Sequence, residues 1–543
     1  MGTTCAPTRS GIITGLNCNS AGVWHTIGGA SLLRKGVQTL PEVLGQHGYA
    51  TGLFGKWHLG DDYPYRPQDR GFQHAVYHRG GGLTQISDHW GNNYMDDTYL
   101  VNGEAKAFKG YCTDVFFDEA FTFIRSHREE PFLCLIAPNA PHAPYNVESR
   151  YRDLYADEDM PEGRKRFYGM ISNIDDNFHR LETLLHDLDI EDNTIVIFMT
   201  DNGTAKGCEQ DGNQFITSGY NGGMRGRKAS PFEGGHRVPF FLRYPAGGID
   251  GGRDVGALAH YTDVMPTLLD LCGVKGPEME GESLLPLLED DGAAAAEWKH
   301  RALVVDTQRI PHPIKWRLSA VMKGNFRLIN GRELYDLSTD PEQREDVAVQ
   351  HPKVVADLRA EYETWWDLCS RQFNHASPTH IGSEVCPEVK LTTMELRNDD
   401  SDVVWHQGQV RAAQSSLGWW ELLAEQDGRY SVVLRRWPEE AGHGMVDGIQ
   451  GFDVDPGPKG LIDTSVLSWY RDGKAVDVYG AALKVDEQNL YADIEADAGE
   501  VTFVVDLKEG MHTLRAWFSG GTDVRTATVM APYYVTIKRM AGD

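Results

Sequence analysis

Long apolar runs are missing from this chain of 543 residues. Its longest candidates, residues 132–137 and 238–242, fall well short of the ~18 residues that a membrane-spanning helix needs. The first thirty residues also lack the basic and then apolar layout of a signal peptide. The sequence therefore predicts no membrane span, and its start leaves the cellular compartment undecided.

Positive charge is scarce as well. The chain has 52 lysines and arginines against 79 aspartates and glutamates, which gives a net charge of −27. A surface that acidic repels the phosphate backbone of nucleic acids. We therefore expect no nucleic-acid partner.

Cysteine is sparse, with eight residues spread over the chain. No CxxC pair and no Cys/His cluster predicts a zinc site, and the density is too low for a disulfide scaffold. Seven of the eight are interpreted as core residues or optional disulfide partners. Cys5 is the exception, because of the residues that follow it.

From residue 30 to about 275, helical patterns alternate with short apolar runs. This alternation predicts an α/β domain with a mostly parallel sheet sandwiched by helices. In such sheets, chemistry gathers at the carboxyl ends of the strands. The predicted helices are residues 32–46, 115–124 and 167–188, and the predicted strands are residues 50–54, 132–137 and 194–199.

The pattern of predicted helices and strands changes after that domain. We expect the α/β domain to span residues 1–295 and a small α+β subdomain to span residues 296–370. Residues 371–399 have the polar composition of a linker. Short alternating strands separated by turns then predict an all-β sandwich over residues 400–543. Within the subdomain, the predicted strands are residues 301–306 and 318–329, and the predicted helix is residues 352–368.

Residues 5–9 read CAPTR. Pro7 suits the first turn of a helix, so Cys5 would lie at a helix N-terminus with Arg9 one turn later on the same face. Helix N-termini favour anions, and Arg offers a fork of donors to a tetrahedral oxyanion. A nucleophile at residue 5 could thus meet a sulfate or phosphate ester. Taken alone, the pentad fits a packed structural thiol better.

Residues 55–60 read GKWHLG and follow a predicted strand directly. Lys56 and His58 would both project from one loop at the carboxyl end of that strand. One could hold an anionic oxygen while the other transfers a proton. Two unrelated basic residues on a surface loop are the equal alternative.

Three further motifs lie next to predicted strands. Asp201 and Asn202 end a strand ahead of a glycine, and their hard oxygen donors suit Ca²⁺ or Mg²⁺. His142 is presented by a loop stiffened with prolines, and Lys228 precedes a Glu-Gly-Gly turn. Each could also be structural: a simple turn, a hydrogen-bonded histidine and an exposed lysine.

Taken together, the motifs resemble those of the type I sulfatases of the alkaline phosphatase superfamily. Five motifs match in order and approximate spacing: CAPTR with TG at 14–15, GKWHLG at 55–60, DNG at 201–203, EGGHRVP at 233–239 and ELYDL at 333–337. The resemblance covers residues 1 to about 370. The sandwich looks like an appendage found on some bacterial arylsulfatase-like proteins.

The resemblance implies an alkaline phosphatase-like fold and a sulfuric-ester hydrolase that releases sulfate from an aryl or carbohydrate substrate. A separate maturation enzyme would oxidise Cys5 to formylglycine, whose hydrated form attacks sulfur. Arg9 and Lys56 would hold the diol and sulfate oxygens. His58 matches the family's base, which takes a proton as sulfate is expelled.

The remaining roles follow from the same resemblance. His142 and Lys228 match groups on the leaving-oxygen side, with His142 the expected general acid. Asp201 and Asn202 match two ligands of a divalent cation, which is usually Ca²⁺, with Mg²⁺ as the alternative.

The sequence departs from the family at its start. In the family, a first strand ending in Asp-Asp precedes the cysteine and supplies two metal ligands, whereas only residues 1–4 precede Cys5 here. We therefore expect a sequence truncated at its N-terminus, with weakened calcium binding and reduced activity. A complete protein would be periplasmic or secreted.

Two other functions fit the same residues. A phosphonate or phosphate monoester hydrolase of the same superfamily shares the pentad. An inactive truncated sulfatase could retain a glycan-binding sandwich, although aromatic residues in a sandwich are more often core. The aromatic residues in question are Trp419, Trp420, Trp437, Tyr470 and Trp517.

Overall fold

The computed structural model describes residues 2–289, 298, 301–374, 377–399, 403–451, 469–520 and 528–541. The α-helices are α1 (Cys5–Thr14), α2 (Leu40–Gln46), α3 (Cys112–His127), α4 (Ser149–Arg152), α5 (Glu162–Asp187), α6 (Glu233–His236), α7 (Val264–Leu271), α8 (Leu285–Glu289), α9 (Pro352–Cys369) and α10 (Gln407–Arg411). Among these residues, no helix has both the length and the apolar character to cross a membrane.

The strands fall into three groups along the chain. The α/β domain holds β1 (Ala50–Lys56), β2 (His74–His78), β3 (Thr98–Val101), β4 (Glu104–Ala107), β5 (Phe132–Ala137), β6 (Val196–Met199), β7 (Cys208–Gln210), β8 (Ile216–Gly219) and β9 (Phe240–Arg243). The subdomain holds β10 (Ala302–Asp306), β11 (Ser319–Lys323), β12 (Phe326–Ile329) and β13 (Glu333–Asp336). The sandwich holds β14 (Thr379–Ile381), β15 (Glu388–Thr392), β16 (Trp420–Ala424), β17 (Gly428–Arg435), β18 (Gly480–Val485), β19 (Gln488–Asp493), β20 (Val501–Leu507), β21 (Gly510–Gly520), β22 (Thr528–Met530) and β23 (Tyr534–Arg539).

The largest sheet of the α/β domain has the order β4-β3-β2-β1-β5. Its centre is parallel, because β1 pairs in parallel with both β2 and β5. Strands β3 and β4 add an antiparallel edge, so the sheet is mixed. Strands β6 and β9 form a separate antiparallel pair, as do β7 and β8.

Helices cover both faces of this sheet. Successive residues of a strand point to opposite faces, and on β1 the neighbours Leu53 and Phe54 accordingly enter different cores. Leu53 packs in the core that contains α1, α2 and α7, whereas Phe54 packs with α3 and α5. The predicted α/β architecture is confirmed, and it places the carboxyl end of β1 beside α1.

One predicted helix of the α/β domain is wrong in its first half. Helix α2 begins at Leu40, not at residue 32, because Thr39 caps it. The Thr39 hydroxyl accepts a hydrogen bond from Glu42 N, the Glu42 carboxylate accepts one from Thr39 N, and Pro41 occupies the first turn. This capping box starts a helix at that point whatever apolar spacing precedes it.

The subdomain is a four-stranded antiparallel sheet in the order β10-β11-β12-β13. The predicted strand at 318–329 is two strands, β11 and β12, joined at Gly324 with φ of 53°. One face of the sheet packs against α9 through Leu358 and Tyr362. The opposite face packs on the α/β domain, where Phe232 and Tyr261 join its core. The predicted boundary at 295/296, with the preceding alanine run, lies outside the described residues.

The sandwich has two sheets, one in the order β14-β16-β21-β18-β19 with β22 on β21, the other in the order β15-β23-β17-β20. It begins earlier than predicted, because β14 and β15 lie within residues 371–399. Both are short, and their polar composition resembles that of a linker. The aromatic side chains of Trp420, Trp437 and Tyr470 are buried, while Trp419 and Trp517 are half-buried. The first three therefore belong to the interior.

Candidate active site

Helix α1 places Cys5 at its first turn. Thr4 is the extended N-cap residue, and the helix ends at Gly15, whose φ of 68° is in the left-handed region. Cys5 is only 4% exposed. The unpaired backbone N–H groups of a first helical turn favour a negative charge there. The predicted helix and the position of Cys5 at its start agree with the structure.

Lysine side chains surround the Cys5 thiol. Lys228 Nζ donates to Cys5 Sγ at 3.3 Å, and Lys56 is buried nearby. Burial by itself raises the pKa of the Cys5 thiol, but Lys228 and Lys56 outweigh burial and lower the pKa to about 6. The loop of Lys228 is held by backbone hydrogen bonds from Lys228 N to Thr204 O and from Ala229 N to Thr3 O, both 3.0 Å long. The site is therefore built to hold a negative charge at residue 5.

Arg9 joins three elements of the site. Its Nε donates to Asp201 Oδ2 at 3.0 Å, and its Nη1 donates to the backbone oxygen of Lys56 at 2.9 Å. Burial by itself raises the pKa of Asp201, but Arg9 and Lys56 hold it well below its usual range. Asp201 therefore remains ionised, and α1, β1 and the turn after β6 are tied together.

His58 follows β1 with a strained backbone, its φ being 65°. Such conformations in residues other than glycine cluster at functional sites. Its Nε2 lies 3.0 Å from Thr26 O, and its buried Nδ1 has no hydrogen-bond partner among the described residues. Burial, followed by Lys56, lowers the pKa of His58 to about 3. The ring is thus neutral: its Nε2–H donates to Thr26 O, and the lone pair lies on Nδ1.

His142 lies on the loop after β5. Its Nδ1 lies 2.7 Å from Ala143 O, and its backbone oxygen accepts a hydrogen bond from the Tyr94 hydroxyl at 2.6 Å. Burial, followed by Lys56 and Lys228, lowers the pKa of His142 to about 3. The neutral ring donates its Nδ1 proton to Ala143 O and carries its lone pair on Nε2.

The turn after β6 carries Asp201 and Asn202. Asn202 Nδ2 donates to Gly203 O at 2.9 Å, whereas its buried Oδ1 has no hydrogen-bond partner among the described residues. Gly203 N donates to Gly235 O at 3.0 Å, and a Cβ at Gly203 would lie 1.8 Å from Gly234 O. Gly203 is therefore needed for the DNG turn to lie against the turn that holds Gly234 and Gly235.

The eight predicted residues thus lie in one region, seven of them linked by contacts or electrostatic interaction and Asn202 by its place beside Asp201. The adjacent acids Asp61 and Asp62 have their own hydrogen-bond partners, although the charge of Asp61 also acts on His58. Asp61 accepts from Gly80 N at 2.9 Å, and Asp62 pairs with Arg79 at 3.0 Å.

The sequence reasoning gave no catalytic role to three residues beside the site, of which His78 was noted only as part of a glycine-, histidine- and asparagine-rich region at 61–110 that could set specificity. A Cβ at Gly81 would lie 2.1 Å from His58 Cε1, and a Cβ at Gly82 would lie 2.9 Å from His142 Nδ1. His78 is the register partner of Lys56 across β1 and β2, and its buried Nε2 has no partner in the described part of the chain. The run of three glycines at 80–82, close behind a strand, is the signal that could have revealed this loop.

Comparison with known protein families identifies the family of this chain. Residues 1–274, half of the chain, match the sulfatase family model. Residues 227–365 match the model of the N-sulphoglucosamine sulphohydrolase C-terminal region. This chain belongs to the sulfatase family. Membership implies the family's usual formylglycine and divalent cation.

Individual relatives of this sulfatase are distant. It is 25% identical over 415 residues to the uncharacterized sulfatase YdeN of Escherichia coli strain K12, covering 65% of this chain and 70% of that protein. It is 29% identical over 319 residues to the N-acetylgalactosamine-6-sulfatase of Homo sapiens, covering 52% of this chain and 56% of that protein. It is 24% identical over 442 residues to the N-acetylglucosamine-6-O-sulfatase of Bacteroides thetaiotaomicron, covering 63% of this chain and 73% of that protein.

The fold of this sulfatase is similar to solved structures. The crystal structure of Ps i-CgsB superposes with a TM-score of 0.59 at 22% identity, covering 67% of this chain and 82% of that chain.

Proposed function

We propose that this sulfatase hydrolyses sulfate esters of carbohydrates or aryl alcohols and releases inorganic sulfate. The observation that carries the proposal is the environment of Cys5. It is a buried position at a helix N-terminus, with the Lys228 ammonium at 3.3 Å and with Lys56 and Arg9 beside it. Three cations around one nucleophile position suit the anionic oxygens of a sulfate group.

Residue 5 is proposed to act after modification by a maturation enzyme. Formylglycine at this position supplies, once hydrated, the hydroxyl that attacks sulfur. The chain's own residues fit such a group, because Lys228 already donates to the atom on Cβ of residue 5. Lys56 and Arg9 would bind the remaining sulfate oxygens.

His58 is proposed as the base that accepts a proton when sulfate is released. Its Nε2 is hydrogen-bonded to Thr26 O, which leaves the Nδ1 lone pair for proton transfer. The pKa of about 3 keeps the ring neutral at physiological pH. The ring is therefore unprotonated before it acts, and the negative charge of a bound sulfate group would offset Lys56 and raise the pKa of His58 towards the range of an effective base.

His142 and Lys228 are proposed to serve the leaving oxygen, with His142 as the general acid. The neutral His142 ring has its only proton on Nδ1, engaged by Ala143 O. It must therefore gain a proton at Nε2 before it can donate one. A bound sulfate ester would favour that gain, since its negative charge offsets Lys56 and Lys228, which lower the pKa of His142.

Asp201 and Asn202 are proposed as ligands of the divalent cation, with Ca²⁺ the expected ion. The ionised Asp201 carboxylate and the unpartnered Asn202 Oδ1 are the hard oxygen donors that Ca²⁺ prefers. A cation at this position polarises a sulfate oxygen.

The substrate class is proposed from the relatives. Two of them are a N-acetylgalactosamine-6-sulfatase and a N-acetylglucosamine-6-O-sulfatase, whose names both specify a sulfated amino sugar. We therefore expect a carbohydrate sulfate as the natural substrate, with aryl sulfates as convenient test compounds.

The test is sulfate release by the protein co-expressed with a formylglycine-generating enzyme. Mass spectrometry of the peptide containing residue 5 first establishes the conversion. Sulfate release is then measured from a sugar 6-sulfate, and nitrophenol release is measured from a nitrophenyl sulfate and from a phosphonate ester of the same nitrophenol. We expect sulfate-ester turnover that exceeds phosphonate turnover.

Cys5→Ala should abolish that turnover, while Cys272→Ala, at a half-buried cysteine outside the site, should leave it unchanged. A converted protein that cleaves the phosphonate faster than the sulfate would contradict the proposal. So would a converted protein that cleaves neither.

A further inference from the structure

The loop of residues 79–92, here called the glycine loop, touches both proposed catalytic histidines. Gly81 and Gly82 lie so close to the rings of His58 and His142 that any Cβ would collide with them, at 2.1 Å and 2.9 Å. In the glycine loop the backbone itself therefore forms a wall of the site. The orientation of His58 depends on where that backbone lies.

The other half of the glycine loop is built into the sandwich. Ile86 is fully buried and belongs to the hydrophobic core of the sandwich. Trp90 packs edge-to-face on Trp437 of the sandwich with ring centroids 5.5 Å apart. The backbone of Ile86 donates to Trp405 O at 3.0 Å. The glycine loop is thus part of two domains at once.

Gln407, the first residue of α10, holds this half of the loop. Its backbone N donates to Thr84 O at 3.0 Å. Its side-chain Nε2 lies within hydrogen-bond distance of the carbonyl oxygens of Gln85 at 3.3 Å, Asp88 at 3.2 Å and His89 at 3.4 Å. Gln407 is 3% exposed, and its removal would leave the Asp88 carbonyl without a donor among the described residues, whereas Gln85 O and His89 O would keep the backbone donors Asp88 N and Asn92 N.

Gln85 connects the two halves. Its side-chain Oε1 accepts a hydrogen bond from Gly81 N at 2.7 Å, while its backbone oxygen faces Gln407. The connection from the sandwich to His58 therefore has two steps: Gln407 holds Gln85, and Gln85 holds the glycine that packs on the ring.

A second connection reaches the opposite side of the same ring. The Thr26 oxygen that pairs with His58 Nε2 lies on a segment anchored at Gly29. Gly29 N donates to Met394 O at 3.1 Å, and Arg397 Nη2 donates to Gly29 O at 3.3 Å. Residues 394 and 397 directly follow β15 of the sandwich. The two backbone segments that lie against the His58 ring, one at Gly81 and one at Thr26, are thus both attached to the C-terminal domain.

We infer that the sandwich is an integral part of the catalytic centre and that Gln407 is a positioning residue for His58. The inference rests on the proposed function only in taking His58 as the base. Gln407 acts through Gln85 and Gly81 and does not touch the substrate position. A base displaced by a fraction of an ångström loses rate before it loses binding.

The test compares Gln407→Met and Gln407→Glu in the full, converted chain. Methionine keeps the volume but cannot donate, and glutamate turns a donor into an acceptor that faces carbonyl oxygens. Gln488→Met is the matched control, because Gln488 lies exposed on β19 and, within the described part of the chain, its side chain donates to Asp506 O alone, at 3.0 Å. Gln407→Asn, which keeps the amide, is the milder variant if either substitution prevents folding.

Two readouts are needed. Steady-state kinetics should show kcat reduced about tenfold, with KM changed by less than about twofold. Spectra of ¹³C-histidine-labelled protein, with the His58 signal assigned from His58→Gln, should show that signal shifted in the Gln407 variants and unmoved in Gln488→Met.

An unchanged kcat together with an unmoved His58 signal in Gln407→Glu would overturn the inference and leave the proposed function intact. If the converted wild-type protein releases no sulfate, the proposed function fails. The His58 signal then decides the inference by itself, because it reports the position of the ring without turnover.

Discussion

Two partly buried clusters of charge act on His58, and they have opposite composition. In the first, Arg9, Lys56 and Lys228 surround Cys5 with Asp201 as the one carboxylate. Its lysines lower the pKa of the Cys5 thiol, and Lys228 donates a hydrogen bond to the same thiol. Among the described residues, the three cations of this cluster face one carboxylate and the thiol.

The second cluster has three carboxylates around one arginine. Asp61 accepts from Gly80 N at 2.9 Å, Asp62 pairs with Arg79 at 3.0 Å, and Glu395 accepts from Thr392 N at 2.9 Å. These carboxylates are satisfied by fixed backbone donors and one cation. The comparison indicates that charged groups paired with fixed backbone donors have a structural role. Cations grouped around a reactive side chain can instead bind an anionic ligand.

The largest effect is expected when the cationic cluster loses its central lysine. In converted Lys228→Met, sulfate turnover should fall by ~10²–10³, because a preorganised donor at the reacting group is lost. Lys206→Met is the control, since Lys206 pairs with Glu209 at 3.0 Å outside the site. Equal turnover in Lys228→Met and the wild type would show that this cation is structural.

The next largest effect is expected at Gly81, whose backbone packs against the His58 ring. Gly81→Ala would drive a Cβ into His58, and we expect kcat to fall by ~10². Gly212→Ala is the matched control, because the space around Gly212 is open. Initial-rate kinetics on a nitrophenyl sulfate measures both. A Gly81→Ala enzyme with full kcat would mean that His58 tolerates displacement.

A smaller effect should appear in the thiol of unconverted protein. Because the pKa of Cys5 is about 6, its thiolate fraction, and so its rate of alkylation by iodoacetamide, should rise with pH to a plateau above about pH 7. Lys228→Met should move the midpoint towards higher pH. Burial raises the pKa of Cys18, Cys134 and Cys369, so these thiols should stay unreactive over that range. A midpoint unmoved by the substitution would contradict the role of Lys228.

The smallest effect is expected in the acidic cluster. Burial, with Asp61 and Asp62, raises the pKa of Glu395 to about 8. The folded state then holds a proton that the unfolded state releases near pH 4.5, so stability is greatest below that pH and falls as pH rises to about 8. Glu395→Gln should flatten this decline by about 3 °C in Tm while leaving kcat unchanged. Thermal melts between pH 5 and pH 8 measure it, and a decline as steep as in the wild type would refute it.

Short local patterns in the sequence predicted most of the residues of the candidate site. Pro7 marks the helix that begins at Cys5, and the glycines around Lys56 and His58 mark the end of β1. Apolar spacing alone was less reliable, since it extended α2 back to residue 32 across the Thr39 cap. Backbone chemistry at a few positions therefore predicted more than periodicity did.

No local sequence pattern predicted the hydrogen-bonded connection between the sandwich and His58. Gln85 and Gln407 are 322 positions apart, and a glutamine that donates to carbonyl groups looks like any other polar residue in a sequence. The same holds for β14 and β15, whose polar composition resembles a linker until their partner strands are known.

By itself, the sequence indicated the candidate nucleophile position, the motif residues and the alternation of strands and helices, because caps, glycine turns and periodicity act over a few neighbouring residues. Only the tertiary structure decided that Lys56 and Lys228 converge on one buried thiol and lower its pKa, with Arg9 hydrogen-bonded to the backbone of Lys56. It also decided that the C-terminal domain holds the loop behind His58. Convergence and burial depend on contacts between distant segments, and electrostatic effects grow strong only where those contacts exclude water.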